Sequence, residues 1–197
     1  MAYLKRGDIE AMGFASVADG VRISDRAVIH NPEQTTIGLF ARIDDFAILS
    51  GKVNLGRNVH ITNFCNLAGG KPGITMDDFS GLAYSCTIFS QSDDYSGESL
   101  TNPTVPAELG GRKLKLESFA PVHIGRHAIL GAHCLVFPGA NIGEGTAVAA
   151  GSIVTKPLEP WSIYRGAPAK YVRARTKKLL ELEKYYSDWE RALSSRA

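Results

Sequence analysis

The chain has 197 residues, with 22 lysines and arginines against 20 aspartates and glutamates and a formal net charge of +2. This length suffices for one sizeable core, and the mixed charge argues against a nucleic-acid surface spread over the body of the protein. The sequence has no apolar run of membrane-spanning length and no signal-peptide core at its N-terminus, which predicts a soluble, cytoplasmic protein without stable membrane association.

A six-residue repeat of aliphatic side chains runs through most of the chain. A helix repeats about every 3.6 residues and a flat strand about every 2, so this pattern predicts stacked coils instead. Hexapeptide repeats are typical of parallel β-helices, in which three hexapeptides form one triangular coil. The repeat positions are Val17, Ile23, Ile29, Ile37, Ile43, Leu49, Leu55, Ile61, Leu67, Met76, Leu82, Ile88, Ile124, Leu130, Val136, Ile142, Val148 and Val154.

Small or β-branched residues stand two positions before most of the repeat aliphatics. A narrow prism needs a small inward side chain beside each large one, because its interior must fill at the density of a crystal. All three cysteines, Cys65, Cys86 and Cys134, occupy this small position. We therefore predict that they are buried packing residues and not disulfides, metal ligands or nucleophiles. Glycine follows the aliphatic at several positions, among them Gly38 and Gly131, where a corner can require a positive φ.

The largest break in the repeat separates Ile88 from Ile124. Roughly 30 residues leave the prism there, and a loop of this length in a compact domain is usually functional or disordered. The segment is polar, contains aromatic residues and prolines, and is not of low complexity. It is therefore predicted to be an ordered arm at one corner of the prism.

Both ends of the repeat are expected to carry caps, because the open edges of a solenoid would otherwise invite further strands. Apolar residues at helical spacing predict an amphipathic helix between 170 and 193, and a short helix is predicted within 1–14. The predicted architecture is an all-β solenoid, a parallel β-helix of about six triangular coils with a protruding loop and a C-terminal α-helix. It divides into an N-terminal cap (1–16), the β-helix domain (17–156) with the inserted loop (89–121), and an exit segment with the C-terminal helix (157–197).

The chain resembles the hexapeptide-repeat acyltransferases, and among them the maltose and galactoside O-acetyltransferase type, over roughly residues 17–175. The resemblance rests on the repeat, on the arm in the middle of the domain, and on the segments 149–156 and 166–170. It implies a left-handed β-helix, which is an exception to the usual right-handed crossover. It also implies a homotrimer with active sites in the grooves between prisms, and acetyl-CoA as the acyl donor.

In the resembling family, a histidine at the base of the arm takes a proton from the acceptor hydroxyl. Asp93 stands at that position here, and an ordinary aspartate, with a pKa near 4, is a poor base for a sugar hydroxyl. His60 lies in the segment 58–63, which lines the acceptor site in the resembling family, and its side chain is expected to point outward. We predict that His60 is the base and that Asp93 or Asp94 orients it, across the subunit interface if necessary. A role of His60 in the subunit interface stays open.

The predicted substrate groups surround this histidine and the arm. Asp44 and Asp45 lie one coil before His60, and His123 lies where the arm rejoins the prism. The predicted acceptor-binding residues are Asp44, Asp45, Asn63, Tyr95, Asn102 and His123. For the donor, the resemblance implies the backbone of Ala132 and Ala150 and the side chains of Thr155, Lys156, Lys170 and Arg173, since lysine and arginine form charge-assisted hydrogen bonds with phosphates.

The predicted function is acetyl-CoA-dependent transfer of an acetyl group to a hydroxyl of a sugar or saccharide precursor, with no metal required. The alternative is an N-acyltransferase for a nucleotide-linked amino sugar, because an amine that is already neutral needs no histidine base. A carbonic-anhydrase-like zinc enzyme would need three converging histidines at a spacing that this chain lacks. A scaffold without catalytic activity is disfavoured by the donor-binding segment near the C-terminus.

Overall fold

The computed structural model describes residues 2–101, 104 and 117–194, of which 189–194 by backbone alone. These residues form a prism of short, mostly parallel strands, with one helix near each terminus of the chain. The helices are α1 (Arg6–Ala11) and α2 (Leu179–Ser194), with a 3-10 turn at Pro32–Gln34. The strands are β1 (Ser16–Val17), β2 (Arg22–Ile23), β3 (Val28–Ile29), β4 (Thr35–Ile37), β5 (Arg42–Ile43), β6 (Ile48–Leu55), β7 (His60–Ile61), β8 (Asn66–Met76), β9 (Gly81–Leu82), β10 (Thr87–Phe89), β11 (Gln91–Asp93), β12 (Glu117–Phe119), β13 (Val122–Ile124), β14 (Ile129–Leu130), β15 (Leu135–Val136), β16 (Ala147–Val148), β17 (Ile153–Val154), β18 (Ser162–Arg165) and β19 (Lys170–Ala174).

The strands lie on three faces of the prism. Face 1 holds β1, β4, the ends of β6 and β8, and β13, whereas face 2 holds β3, the beginnings of β6 and β8, β10, β15 and β17. Face 3 holds β2, β5, β7, β9, β14, β16 and β18. In the middle of the prism Arg42 pairs with His60 and Ile43 with Ile61, which is the register that a coil of three hexapeptides predicts.

The solenoid has about seven turns, one more than the repeat predicts. The additional turn comes from β18, which pairs in parallel with β16, and from a bridge between Ile142 and Leu158. Its sequence departs from the six-residue spacing, because the chain turns through two prolines, Pro157 and Pro160, between β17 and β18. The prism is therefore longer than its sequence repeat.

Repeat aliphatics fill the interior of the prism. Ile61 and Leu67 have no exposed surface, and the three cysteines are buried with free thiols. The cysteine Sγ atoms donate to backbone carbonyls of neighbouring turns, as that of Cys65 does to Ala83 O at 3.2 Å. The prediction that the cysteines are packing residues is confirmed.

Corner glycines act differently from the prediction. A Cβ atom on Gly131 would lie 2.5 Å from the Ala150 nitrogen, and one on Gly38 would lie 2.5 Å from the carbonyl carbon of Gly56. These glycines permit the close approach of successive coils and do not supply a positive φ. Positive φ occurs instead at the second residue of the corner, as at Phe64 with a φ of 62° and at Gly151 with a φ of 69°.

The C-terminal segment differs from the predicted helix in its first part. Lys170–Ala174 is strand β19, which pairs antiparallel with β18 and covers the last open strand edge of face 3. Helix α2 begins only at Leu179. At the other end, α1 buries Ile9 against the first coil. None of the described helices is long and apolar enough to span a membrane.

Candidate active site

The base of the arm is a short hairpin that presents two neighbouring carboxylates. Strands β11 and β12 pair antiparallel, with Asp93 opposite Glu117. Asp94 accepts hydrogen bonds from the Ser96 backbone at 2.8 Å and from the Ser99 hydroxyl at 3.2 Å. Hydrogen bonding from Ser96 holds the pKa of Asp94 below its ordinary value. Asp94 therefore shapes the turn, whereas the Asp93 carboxylate has no side-chain partner among the described residues.

His60 is held by a buried carboxylate of its own chain. Its Nε2 atom lies 2.8 Å from Asp44 Oδ2, and Asp44 is only 2% exposed. The Arg42 guanidinium also binds this carboxylate, with Nη2 at 3.1 Å from Oδ2, and the Asp44 hydrogen bond raises the pKa of Arg42. Within the chain, the carboxylate that orients His60 is thus Asp44, and neither Asp93 nor Asp94. Asp44 is thus buried against His60 and Arg42, and its predicted binding of the acceptor stays a prediction.

The pairing of His60 with Asp44 is expected to contribute to the stability of the fold. Replacing Asp44 with asparagine is expected to lower the free energy of unfolding by about 1.5–3 kcal/mol, because hydrogen bonds to charged groups carry that much. Urea denaturation measures the effect, with Asp25→Asn at an exposed aspartate of the preceding coil as the matched control. Equal stability of the two variants would contradict the assigned role.

Helix α2 covers the outer side of face 3 beside His60. Glu183 binds His127 Nε2 at 2.8 Å and also contacts Arg126, and His127 stacks on Phe79 with ring centroids 5.3 Å apart. Burial, together with the neighbouring Arg126, holds the pKa of His127 below its ordinary value. A groove of about 480 Å³ remains between the helix and the prism, and His60 is among its lining residues. The sequence did not predict the contact between His127 and Glu183, because the two residues lie 56 positions apart.

One corner of the prism carries four of the twelve predicted substrate- and donor-binding residues. This long corner, between faces 3 and 2, consists of residues 45–46, 63–64, 84–85, 132–133 and 150–151. Each pair belongs to a successive coil. The backbone N–H of the second residue of a pair donates to the carbonyl of the first residue of the pair below. In the lower coils Phe64 donates to Asp45 in this way, and Ser85 donates to Asn63. Higher up, His133 donates to Tyr84 and Gly151 to Ala132.

Two of the predicted acceptor-binding residues and two of the predicted donor-binding residues therefore lie along the same corner of the prism. Asp45 and Asn63 occupy its lower coils, whereas Ala132 and Ala150 occupy its upper coils. The backbone N–H groups of Ala132 and Ala150 have no partner among the described residues, so they are free to donate to a ligand. One coil rises by about 4.8 Å, so the acceptor and donor groups are only a few coils apart.

A cleft of about 740 Å³ opens at the upper end of the long corner. Ala150, Arg165, Lys170 and Tyr171 line it together with the loop 166–168. The structure thus brings together Ala150 and Lys170, two of the predicted donor-binding positions. Both cations beside the cleft are exposed and can meet an anionic ligand.

Other predicted site residues lie away from this cleft. Thr155, Lys156 and Arg173 are exposed and do not line it. Tyr95 on the arm is 82% exposed, and Asn102 lies outside the described residues. His123 projects from face 1, where its Nε2 lies 2.8 Å from Asp77 Oδ2.

An aromatic pair on the long corner was missed by the sequence reasoning. The rings of Phe46 and Phe64 stack with centroids 5.1 Å apart, and Arg26 lies over Phe46. The signal was present, because the two phenylalanines are 18 residues apart and so occupy equivalent places on successive coils. The described part of the chain holds no group of three or more His, Cys, Asp or Glu side chains that could bind a metal ion.

Comparison with known proteins identifies close relatives over nearly the whole chain. The dTDP-4-amino-4,6-dideoxy-D-glucose acyltransferase of Escherichia coli is 35% identical over 189 residues, which are 94% of this chain and 95% of that protein. AntD of Bacillus cereus, an N-acyltransferase crystallised with dTDP and 3-hydroxybutyryl-CoA, is 39% identical, with a TM-score of 0.91 and coverage of 96% of this chain and 98% of AntD. No family model matches the sequence.

A maltose O-acetyltransferase from Clostridium difficile shares the fold at 20% identity, with a TM-score of 0.54 and coverage of 87% of this chain and 75% of that enzyme. The solenoid therefore matches left-handed β-helix acyltransferases, as the resemblance implied. The chain folds as a prism of hexapeptide coils with an arm, and it has relatives along nearly its whole length. It therefore belongs to the hexapeptide-repeat acyltransferases.

Proposed function

We propose that this acyltransferase moves an acyl group from coenzyme A to the amino group of a dTDP-linked 4-amino-4,6-dideoxyhexose. The observation that carries the proposal is the similarity, along almost the entire chain, to the Escherichia coli enzyme named for this acceptor and to AntD, an N-acyltransferase. Transfer to a sugar hydroxyl, which the sequence analysis placed first, has weaker support, because the maltose enzyme resembles this chain only at the level of the fold.

The arm base supports an amine as the nucleophile. A sugar amine with a pKa of about 8 is partly neutral near pH 7, so its lone pair is available without prior removal of a proton. A hydroxyl would need a stronger base at the position of Asp93. A carboxylate suffices for the amine, because the proton leaves only after the nitrogen has attacked and become positively charged.

The proposed reaction then has three events. The amine nitrogen attacks the thioester carbonyl carbon, and the carbonyl electron pair moves onto oxygen to form a tetrahedral intermediate. The free N–H of Ala132 supports the oxyanion, and the Asp93 carboxylate accepts the proton from the new ammonium group. The intermediate collapses to an amide and expels the thiolate of coenzyme A, which takes up a proton.

For the donor, we propose that the cleft at the top of the long corner holds coenzyme A. Ala150 offers a backbone N–H, and Lys170 and Arg165 offer cations for the phosphates. Thr155, Lys156 and Arg173 remain donor-binding proposals from the resemblance. Acetyl-CoA is the proposed donor, and 3-hydroxybutyryl-CoA, present in the AntD structure, is the second one to assay.

His60 is the second candidate for the proton acceptor, because a histidine fixed by a buried carboxylate is a familiar general base. We favour Asp93 because His60 faces the groove under α2, whereas Asp93 stands on the arm. A homotrimer that brings the arm of one chain to the long corner of another, and a location in the cytoplasm, remain proposals from the resemblance.

An acceptor series tests the proposed function. Release of coenzyme A is followed with acetyl-CoA and dTDP-4-amino-4,6-dideoxyglucose, with dTDP-glucose and maltose as acceptors that offer only hydroxyls. We expect turnover with the amino sugar alone. Turnover with maltose or dTDP-glucose, and none with the amino sugar, would overturn the proposal in favour of O-acetyl transfer.

A further inference from the structure

Helix α2 contacts the prism through side chains on its inward side. Glu183 binds His127 and Arg126, and the ring of Tyr186 meets that of Phe79 edge to face, with centroids 6.0 Å apart. Between these contacts and face 3 lies the groove of about 480 Å³, so the helix is not closely packed against the prism along its length. Short helices are marginal in water, and most of their stability in proteins comes from packing. The order of α2 therefore depends strongly on the contact at Glu183.

This contact joins one carboxylate to two basic groups. Arg126 binds one oxygen of Glu183 and His127 lies at the other. The His127 side chain is only 8% exposed and that of Glu183 only 12%. A neutral imidazole can donate its Nε2–H to the carboxylate without burying a charge on the ring. Because Arg126 already compensates the charge of Glu183, a protonated ring would be a second buried cation beside a single carboxylate.

The charged groups around His127 favour its neutral form. Burial and the neighbouring Arg126 hold the pKa of His127 below its ordinary value, and Arg175 acts in the same direction. Arg175 is fixed beside the ring, because its Nη1 donates to two backbone carbonyls at 2.9 Å each, one of them that of His127. Glu144 and Asp78 act in the opposite direction and are outweighed. Protonation of His127 therefore opposes the docked position of α2.

We propose that α2 is a pH-sensitive strap, closed over face 3 at neutral pH and released in acid, with His127 as the sensor. Release removes the helix that covers the ring, so the free imidazole binds a proton more readily than the docked one. Docking is therefore stable above the ordinary histidine pKa of about 6.5 and weakens as the pH falls below it. Release also uncovers the groove that His60 lines. The strap does not depend on which acceptor the enzyme uses.

Hydrogen exchange of the α2 amides measures release, because it reports even rare local opening. Exchange is followed by mass spectrometry at about pH 8 and about pH 5.5, and the intrinsic effect of pH on exchange is divided out. The protection of α2 is expected to fall by up to about 10-fold, the ratio of protonated to neutral imidazole at the lower pH. Peptides from β8 in the core of the prism should keep their protection.

Two variants change the contact and two serve as matched controls. His127→Gln keeps a side-chain N–H for Glu183 but does not titrate, so α2 should be equally protected at both pH values. Glu183→Gln removes the carboxylate and should lower the protection of α2 already at the higher pH. Glu181→Gln makes the same change of charge at an exposed position of the helix and should behave as wild type. His60→Gln, in the same groove, should keep the acid response.

The other outcomes contradict the strap. Equal protection of α2 at both pH values in the wild type would overturn it, as would normal protection in Glu183→Gln at the higher pH. An acid response that persists in His127→Gln, or that disappears in His60→Gln, would make another group the sensor. A loss of protection in β8 together with α2 would mean that acid unfolds the prism as a whole and does not release the helix alone.

Discussion

Replacing Asp93 with asparagine is expected to lower kcat with the amino-sugar acceptor by about 100-fold, the lower end of the contribution of a positioned proton acceptor. Asparagine keeps the size of the side chain and its carbonyl oxygen, but it cannot accept the proton of the tetrahedral intermediate. Binding of acetyl-CoA should be unchanged, because Asp93 is not among the residues that line the donor cleft. Steady-state kinetics with both substrates varied measures the effect.

The neighbouring residue supplies the control for this experiment. Asp94→Asn makes the same change of charge, but both carboxylate oxygens of Asp94 accept hydrogen bonds from Ser96 and Ser99, so kcat should fall far less than in Asp93→Asn. His60→Gln should behave likewise. A large loss in His60→Gln together with a small loss in Asp93→Asn would contradict the present assignment and restore His60 as the base.

The largest effect on stability is expected in the middle of the prism. Leu67 is fully buried on β8, between β6 and β10, where coils above and below prevent the chain from collapsing into a cavity. Leu67→Ala should therefore lower the free energy of unfolding by about 3–5 kcal/mol. Urea denaturation followed by circular dichroism measures the change.

Leu182→Ala is the control for this cavity. Leu182 lies on α2 with 70% of its surface exposed, and its removal should alter the free energy of unfolding by less than about 0.5 kcal/mol. If Leu67→Ala were no more destabilising than Leu182→Ala, the coil-by-coil core would not be the source of stability.

The fold was largely predictable because its core is periodic. Each repeat aliphatic, such as Ile61 or Leu67, points inward once per hexapeptide, so the sequence specifies the coil, its 18-residue register and the burial of the cysteines. The last turn escaped prediction because its core residues, Leu158 and Tyr164, lie in a proline-rich segment that breaks the spacing.

The spacing of apolar residues gave a wrong prediction for the first part of the C-terminal segment, where a strand replaces the predicted helix. Tyr171 and Ala174 fit a helical spacing with the residues that follow, but they form β19, because the open edge of β18 offers backbone hydrogen bonds that a helix there would leave unmade. Tertiary context overrides propensity in this segment.

The candidate site was predictable only in part. The 18-residue length of a coil predicted that Asp44 lies near His60, and the structure shows a hydrogen bond between them. The contact between His127 and Glu183 was not predictable, because it depends on how α2 folds back onto face 3. The spacing of the repeat left the choice between a hydroxyl and an amine as nucleophile open, and it is the relatives along nearly the whole chain that favour the amine.

The most direct test of the proposed N-acyl transfer is to determine whether the product is an amide or an ester. The enzyme is incubated with acetyl-CoA and dTDP-4-amino-4,6-dideoxyglucose, and the nucleotide product is analysed by mass spectrometry before and after mild alkaline treatment. We predict the addition of one acetyl group that survives alkali, as an amide on the sugar nitrogen does. An acetyl group that alkali removes would be an ester on a hydroxyl, and this result would contradict the proposed N-acyl transfer.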